Sequence, residues 1–265
     1  MFDYHIHSDF SADCNTPMEN TIEQAYRRGL KEICFTEHID DDYPDPSIEF
    51  TLDHTGYDKK ISALKAQYQG EISVKKGVEI GIQPHLLMRM DELLKKETFD
   101  FVICSMHTTA GKDLHSGDFF REQSVEAAYQ QYYEELLACI HQYKNFDILG
   151  HIDLVKRYAA DSSGRGFHEI IREIFREIIP DGKGIELNTS GVRYGMESGM
   201  PSEDILRLYR DCCGEVITVG SDAHKAADVG YQVKESYALL QSLGFRYIAT
   251  FDDRKPVFHR IGDLV

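Results

Sequence analysis

Twelve histidines stand in this chain of 265 residues, and many of them fall in short motifs where apolar runs end. The runs end in His5-Ile6-His7, Glu37-His38, Val78-Glu79 and Ser105-Met106-His107. Further along come Gly150-His151-Ile152-Asp153, Glu186-Leu187-Asn188 and Ser221-Asp222-Ala223-His224. Side chains alternate along an extended segment, so the imidazoles of His5 and His7 point to one side and can share one cation. Asp222 and His224 repeat that spacing. A carboxylate such as Glu79 has two oxygens and can bridge neighbouring ions. Taken singly, a strand-end histidine is ordinarily a hydrogen-bonded core or surface residue. Recurrence at successive strand ends favours a cluster of divalent metal ions.

The elements that must position these residues are legible as an alternation. Strands are expected at 2–6, 32–36, 72–79, 100–104, 146–150, 184–188 and 216–220. Amphipathic helices are expected near 17–29, 56–69, 84–95, 120–143, 167–179, 201–212 and 230–243. Thr16, Pro17 and Glu19 read as N-cap, N1 and N3 of a capping box, with Gly29 as the stop. A second proline-initiated helix is expected from Pro201, with Glu203 and Asp204 in its first turn. Such alternation predicts an α/β fold with a parallel sheet, either a closed β/α barrel or an open doubly wound sheet. No glycine-rich GxGxxG follows the first strand, which weakens a dinucleotide-binding version. In a barrel the strand ends converge on one face, and six of the seven would deliver a His, Asp or Glu there. No linker or low-complexity run divides the chain, so residues 1–265 read as one domain.

Composition narrows the partners. Acidic side chains number 45 against 29 basic ones, for a formal net charge of −16. That field repels nucleic acid and anionic membrane, although bound metal ions can reverse its sign locally. The start Met1-Phe2-Asp3-Tyr4-His5 has no secretory signal pattern, and no apolar run approaches the length of a membrane span. The six cysteines are scattered, and Cys34 and Cys104 lie in apolar runs as expected of reduced core thiols. A cytoplasmic protein is the expectation.

With those residues in hand, the chain resembles the PHP (polymerase and histidinol phosphatase) superfamily. The motifs that carry the likeness are His5-x-His7, Glu37-His38, Gly77-Val78-Glu79, Ser105-Met106-His107, Gly150-His151 and Gly220-Ser221-Asp222-Ala223-His224. The resemblance implies a single distorted (β/α)7 barrel with two or three divalent ions (Mn, Fe or Zn) at the C-terminal strand ends. It implies a first site of His5, His7, Glu79 and Asp222, and a second of Glu79, His107 and His151. A third would use Asp13, His38 and His224. Many relatives have His where this chain has Asp13, a harder ligand that favours Mn or Fe there.

Within the superfamily the likeness is closest to the stand-alone histidinol-phosphate phosphatases, on Gly150-His151-Ile152-Asp153-Leu154-x-x-Arg157 and Asn188-Thr189-Ser190-Gly191-x-Arg193. It implies hydrolysis of L-histidinol phosphate, a small-molecule phosphate ester, with Arg157 and Arg193 gripping the phosphate. The nucleophile expected is a hydroxide bridging the Glu79-linked metals. Three divalent ions outweigh Asp13, Glu79, Asp222 and that hydroxide, which leaves positive charge for a phosphate dianion. Asp153 or Asp161 is a candidate to protonate the leaving oxygen, as is water. The acidic run Glu37–Asp45 is a candidate rim for the cationic end of the substrate, with a solvated loop as the plainer reading. The stretch His107–Asp118 is a second candidate wall. His54, His85, His141, His168 and His259 carry no expected chemistry.

Rival readings differ in class. Another PHP chemistry, such as a phosphodiesterase, nucleotide phosphatase or protein-tyrosine phosphatase, would use the same metals on a different ester. An exonuclease would want a basic or aromatic groove, against the −16 charge and the absence of Trp. A metal-binding scaffold without turnover would be expected to have lost ligands, whereas every expected position holds a competent side chain.

Overall fold

The computed structural model describes residues 1–159 and 166–265. Strands β1 (Phe2–Ile6), β2 (Glu32–Ile39), β3 (Ser73–Gly81), β4 (Phe101–Ser105), β5 (Ile148–Leu149), β6 (Gly184–Asn188) and β7 (Ile217–Gly220) pair in parallel, in chain order. β1 and β4 are buried along their whole length, as a parallel sheet covered on both faces requires. The outer layer holds α1 (Met18–Arg27), α2 (His54–Gln67), α3 (Leu87–Lys96), α4 (Val125–Gln142), α5 (Val155–Tyr158), α6 (His168–Ile178), α7 (Ser190–Arg193), α8 (Glu203–Asp211) and α9 (Val233–Ser242). Helix α6 shows why such segments pack: Ile171, Ile174, Phe175 and Ile178 fall at i, i+3, i+4 and i+7 and are all buried. Each contributes on the order of 1.5–3 kcal/mol by leaving water.

The sheet curls until its first and last strands meet. The Asp222 N–H donates to the His5 carbonyl at 2.7 Å, and the His7 N–H to the Ala223 carbonyl at 2.9 Å. The result is the distorted (β/α)7 barrel expected from the resemblance. Its closing seam is made by the His5-x-His7 and Asp222-x-His224 segments themselves. At the opposite end of the strands a hairpin plugs the barrel, β8 (Tyr247–Asp252) against β9 (Lys255–Arg260). The Tyr4 hydroxyl donates to the Phe251 carbonyl at 3.2 Å, and the Phe101 and Phe251 rings lie 4.8 Å apart.

Three local expectations need correction. Thr16 caps no helix: its hydroxyl donates to the His224 carbonyl at 2.9 Å, and α1 starts without a side-chain cap. Glu19 pairs with Lys60 instead of closing a capping box. The helix expected from Pro201 begins at Glu203, with Ser202 as its N-cap residue, so proline precedes the helix. Gly29 does end α1, with φ +74° and its N–H on the Tyr26 carbonyl. All six cysteines are free, and burial pushes the Cys34 and Cys104 thiols well above their ordinary range. Among the described residues no helix is long and apolar enough to cross a membrane.

Candidate metal centre

Ligand atoms about 2.1 Å from a shared tetrahedral cation stand about 3.4 Å from each other. The strand-end side chains meet that spacing three times. Nε2 of His5 and of His7 lie 3.0 and 3.5 Å from Glu79 Oε2, and 3.9 and 3.6 Å from Asp222 Oδ1. Nε2 of His107 and of His151 lie 3.3 and 2.9 Å from the other Glu79 oxygen. Nε2 of His38 and of His224 lie 3.6 and 3.2 Å from Asp13 Oδ2. All nine expected ligand residues therefore lie on one face, with groups that overlap: His38 Nδ1 also lies 3.2 Å from Glu79 Oε2, and His7 faces both Asp222 and the His38–His224 pair. Glu79 offers one oxygen to each of two groups, the arrangement of a bridging carboxylate. His7 links the first group to the third by stacking on His38 and His224, at centroid distances of 4.2 and 4.3 Å.

The donor set fits divalent cations on a second count. His7 Nε2 is buried without a hydrogen-bond partner. A buried acceptor left unpaired is costly, and a cation would satisfy it. Mixed imidazole and carboxylate ligands suit Zn, Mn or Fe.

In four of the six rings the second nitrogen is anchored, which fixes the nitrogen offered to a cation. Glu186 Oε1 lies 2.7 Å from His5 Nδ1, and Asp40 Oδ1 lies 2.8 Å from His107 Nδ1. Ser11 Oγ lies 3.3 Å from His7 Nδ1, and the Asp222 carbonyl 3.2 Å from His224 Nδ1. Protons on these Nδ1 atoms leave Nε2 free to bind metal. Sequence reading missed Glu186 as an orienting group, although it stood at a strand end. It also offered Glu37 as part of an acidic rim, and it did not show that Asp40, which lines the cavity, orients His107 as well. Glu37 is fully buried, accepting from the Ser8 N–H and from the Ser8 and Ser11 hydroxyls at 3.0, 2.6 and 2.6 Å.

Glycine makes room for these carboxylates. A methyl group at Gly81 would collide with Asp40 Oδ1, and one at Gly220 with Glu186 Oε1 and the His5 Cβ. Gly220→Ala is therefore expected to destabilise the fold by about 1–3 kcal/mol, the usual range for overpacking. Denaturant unfolding of the chelator-stripped protein measures this without a contribution from bound metal. An unchanged midpoint would mean that the His5–Glu186 pair yields freely.

The electrostatics favour cations at this face. Burial alone would raise the Glu79 carboxyl, yet His5, His38 and His107 hold it well below the carboxylate range. Asp222, likewise buried, is held down by His5, His7, His224 and Arg157. Burial would push His5 down, but Glu186, Glu79 and Asp222 hold it well above the ordinary imidazole range. Burial pushes His7, with His38 and His224 nearby, down to about 3, so it is a neutral imidazole ready to ligate. Two of these residues also have unusual backbones: Asp222 has φ +53° and His151 +20°, uncommon for side chains other than glycine.

Arg157 reaches the cavity and Arg193 stands behind it. The cavity has a volume of about 330 Å³ and is lined by Arg157 together with the metal-type residues. The Arg157 guanidinium lies 3.4 Å from Asp222 Oδ2 and 4.2 Å from the Tyr194 ring centroid, and its Nε is buried without a partner. Arg193 donates to the Asp222 carbonyl at 2.8 Å and is not among the residues lining the cavity. Asp153, expected near the leaving group, is a correction. It is fully buried away from the cavity, where it pairs with Lys156 at 2.9 Å and accepts the Ser202 N–H at 3.1 Å. Asp161 lies outside the described residues. His54, His85, His141 and His168 pair with carboxylates remote from the centre, and His259 lies 2.8 Å from the Thr250 hydroxyl.

Comparison with known proteins agrees with the geometry. The PHP domain family matches residues 3–190. A histidinol-phosphatase of Lactococcus lactis is 31% identical over 258 residues, which cover 96% of this chain and 95% of that protein. A probable histidinol-phosphatase of Clostridium acetobutylicum is 29% identical over 264 residues, covering 97% and 96%. The crystal structure of histidinol phosphate phosphatase from Lactococcus lactis, in complex with Zn, L-histidinol and phosphate, superposes with a TM-score of 0.87. It is 30% identical, with 97% of this chain and 98% of that one covered.

Proposed function

The chain belongs to the PHP domain family, and we propose on that footing that it is a metal-dependent phosphomonoesterase converting L-histidinol phosphate to L-histidinol and phosphate. The observation that carries the reading is Glu79, a fully buried carboxylate with one oxygen facing His5 and His7 and the other facing His107 and His151. Two or three divalent ions would be held there, by His5, His7, Glu79 and Asp222, by Glu79, His107 and His151, and by Asp13, His38 and His224. When bound, such ions supply an activated water at neutral pH and positive charge against the phosphoryl oxygens.

The chain's own residues do the rest. Arg157 offers its planar fork at the cavity wall, where it can grip a phosphoryl group through paired hydrogen bonds. Arg193 secures the Asp222 backbone and stands second in line to the anion. Counting Asp40 and Glu186 with the three ligand carboxylates brings three divalent ions close to charge balance. The two arginines therefore matter more for attracting a dianion than the sequence alone suggested. With Asp153 anchored elsewhere, solvent is the simplest proton source for the leaving alkoxide.

The outer cavity suits the other end of histidinol phosphate, which carries an amine and a titratable imidazole. Asp40 and Asp113 present carboxylates, while Tyr43, Phe50 and Tyr158 present aromatic surface. Carboxylates beside aromatic rings favour a small cationic ring. The cavity lies at the small end of the range for ligand pockets, as befits a metabolite and not a macromolecule.

The test is phosphate release by Mn-reconstituted protein from L-histidinol phosphate beside other monoesters and a diester. A preference of at least about 100-fold in kcat/KM for histidinol phosphate is expected, corresponding to about 2.7 kcal/mol of differential transition-state binding. A flat profile across monoesters would leave a general phosphatase, and a diester preference would move the chain to another branch of the family.

A further inference from the structure

The third ligand group differs from the other two in how it is held. His5, His7, Glu79 and His151 are almost completely buried on or beside barrel strands. Asp13 and His224 come from the loops after β1 and β7, and their side chains are 35% and 27% exposed. A ligand pair 211 residues apart in sequence and borne on loops must be tied together before it can bind a cation tightly.

We propose that Cys14 and Thr16 are positioning residues that clamp the His224 carbonyl and thereby build the third cation position. The Cys14 thiol and the Thr16 hydroxyl both donate to that one oxygen, at 3.0 and 2.9 Å. Both follow Asp13 closely in the same loop, so the clamp holds Asp13 Oδ2 3.2 Å from His224 Nε2. The far side of the same loop is fastened separately, through Ser8 and Ser11 on the buried Glu37. Ser11 also accepts the His38 N–H at 3.0 Å, which brings the remaining ligand of this group under the same control.

Thr16 shows that this connection overrides local preference. It sits just before Pro17, where a threonine would ordinarily cap the helix, yet α1 begins with no side-chain cap. The hydroxyl crosses the barrel seam to His224 instead. Conflict between a local rule and an observed contact is expected where function sets the geometry. The inference rests on the reading of this face as a three-ion centre.

The experiment is a Zn²⁺ titration of chelator-stripped protein, following ions bound per chain and the affinity of each. Wild type is expected to take three equivalents. Cys14→Ala/Thr16→Val should retain the inner two and bind the third about 10–100-fold more weakly, the range for removing partners that orient metal ligands. Cys14→Ser/Thr16→Ser, which keeps both donors, should restore it. A third equivalent bound by the Ala/Val variant within about twofold of wild type would overturn the clamp, as would equal weakening of all three. Two equivalents in wild type would overturn the three-ion reading and the clamp with it. If the double variant does not fold, Thr16→Val alone should weaken the third ion about tenfold and Thr16→Ser should not; equal binding by both overturns the proposal.

Discussion

Glu79→Gln is expected to lower kcat by at least about 10³-fold and to leave fewer than two ions per chain. The amide nearly matches the carboxylate in shape, so the change isolates charge and lone pairs from packing. Glu79 is fully buried, and each of its oxygens lies within 3.5 Å of two imidazole Nε2 atoms. Glutamine replaces one oxygen with an NH₂ group, a donor aimed at nitrogens that should be offering lone pairs. It also removes the negative charge that faces His5, His38 and His107. Metal analysis together with phosphate release checks both halves of the expectation. Circular dichroism separates loss of ions from loss of fold, because the barrel core of the apo-protein does not depend on this charge for its apolar packing. A variant that keeps two ions and wild-type kcat would show that Glu79 does not bridge them.

The sequence carried the barrel well because a parallel sheet covered on both faces needs near-continuous apolar strands. Runs such as Phe101–Ser105 have few alternatives. Eight of the nine ligand candidates were legible for a related reason: strand ends project into one space, so chemistry at each end adds to a single site, whereas Asp13, in the loop after β1, was implied only by the family resemblance. The hairpin β8–β9 was not read. Its two-residue turn uses Asp253 and Arg254, both at positive φ, in place of the Asn-Gly pair that signals such turns. Orienting groups were harder still. Asp40 follows a strand whose end already held His38, and its burial depends on Gly81 leaving space across the sheet. Glu37 resembled part of a charged loop because Asp40, Asp41 and Asp42 follow it, and only the fold shows Ser8 and Ser11 enclosing it. Thr16 was misread for a similar reason, since a capping box is a local pattern and its hydroxyl answers to a residue more than 200 positions away.

Arg157→Ala is expected to reduce kcat/KM by about 10²–10³-fold, the usual cost of removing one donor that stabilises transition-state charge. Arg157→Lys should recover little of it, because an ammonium cannot make the paired contacts of a guanidinium. Three neighbours hold the fork in place: the Ser190 hydroxyl, Asp222 Oδ2 at 3.4 Å and the Tyr194 ring. Burial would lower its pKa, but Asp222 and Tyr158 keep it raised, so it stays a cation at any working pH. Arg193→Ala should behave differently, with a smaller loss of about tenfold and weaker metal binding. It contacts the backbone carbonyl of Asp222, one of the proposed ligands, and not the cavity. Product inhibition by inorganic phosphate, measured beside Zn²⁺ affinity, separates the two roles. Arg157 variants should lose phosphate inhibition while retaining their ions, and Arg193→Ala should lose ions first. If Arg157→Ala instead sheds metal with phosphate inhibition intact, its main duty is to brace Asp222, and the anion must be gripped elsewhere on the cavity wall.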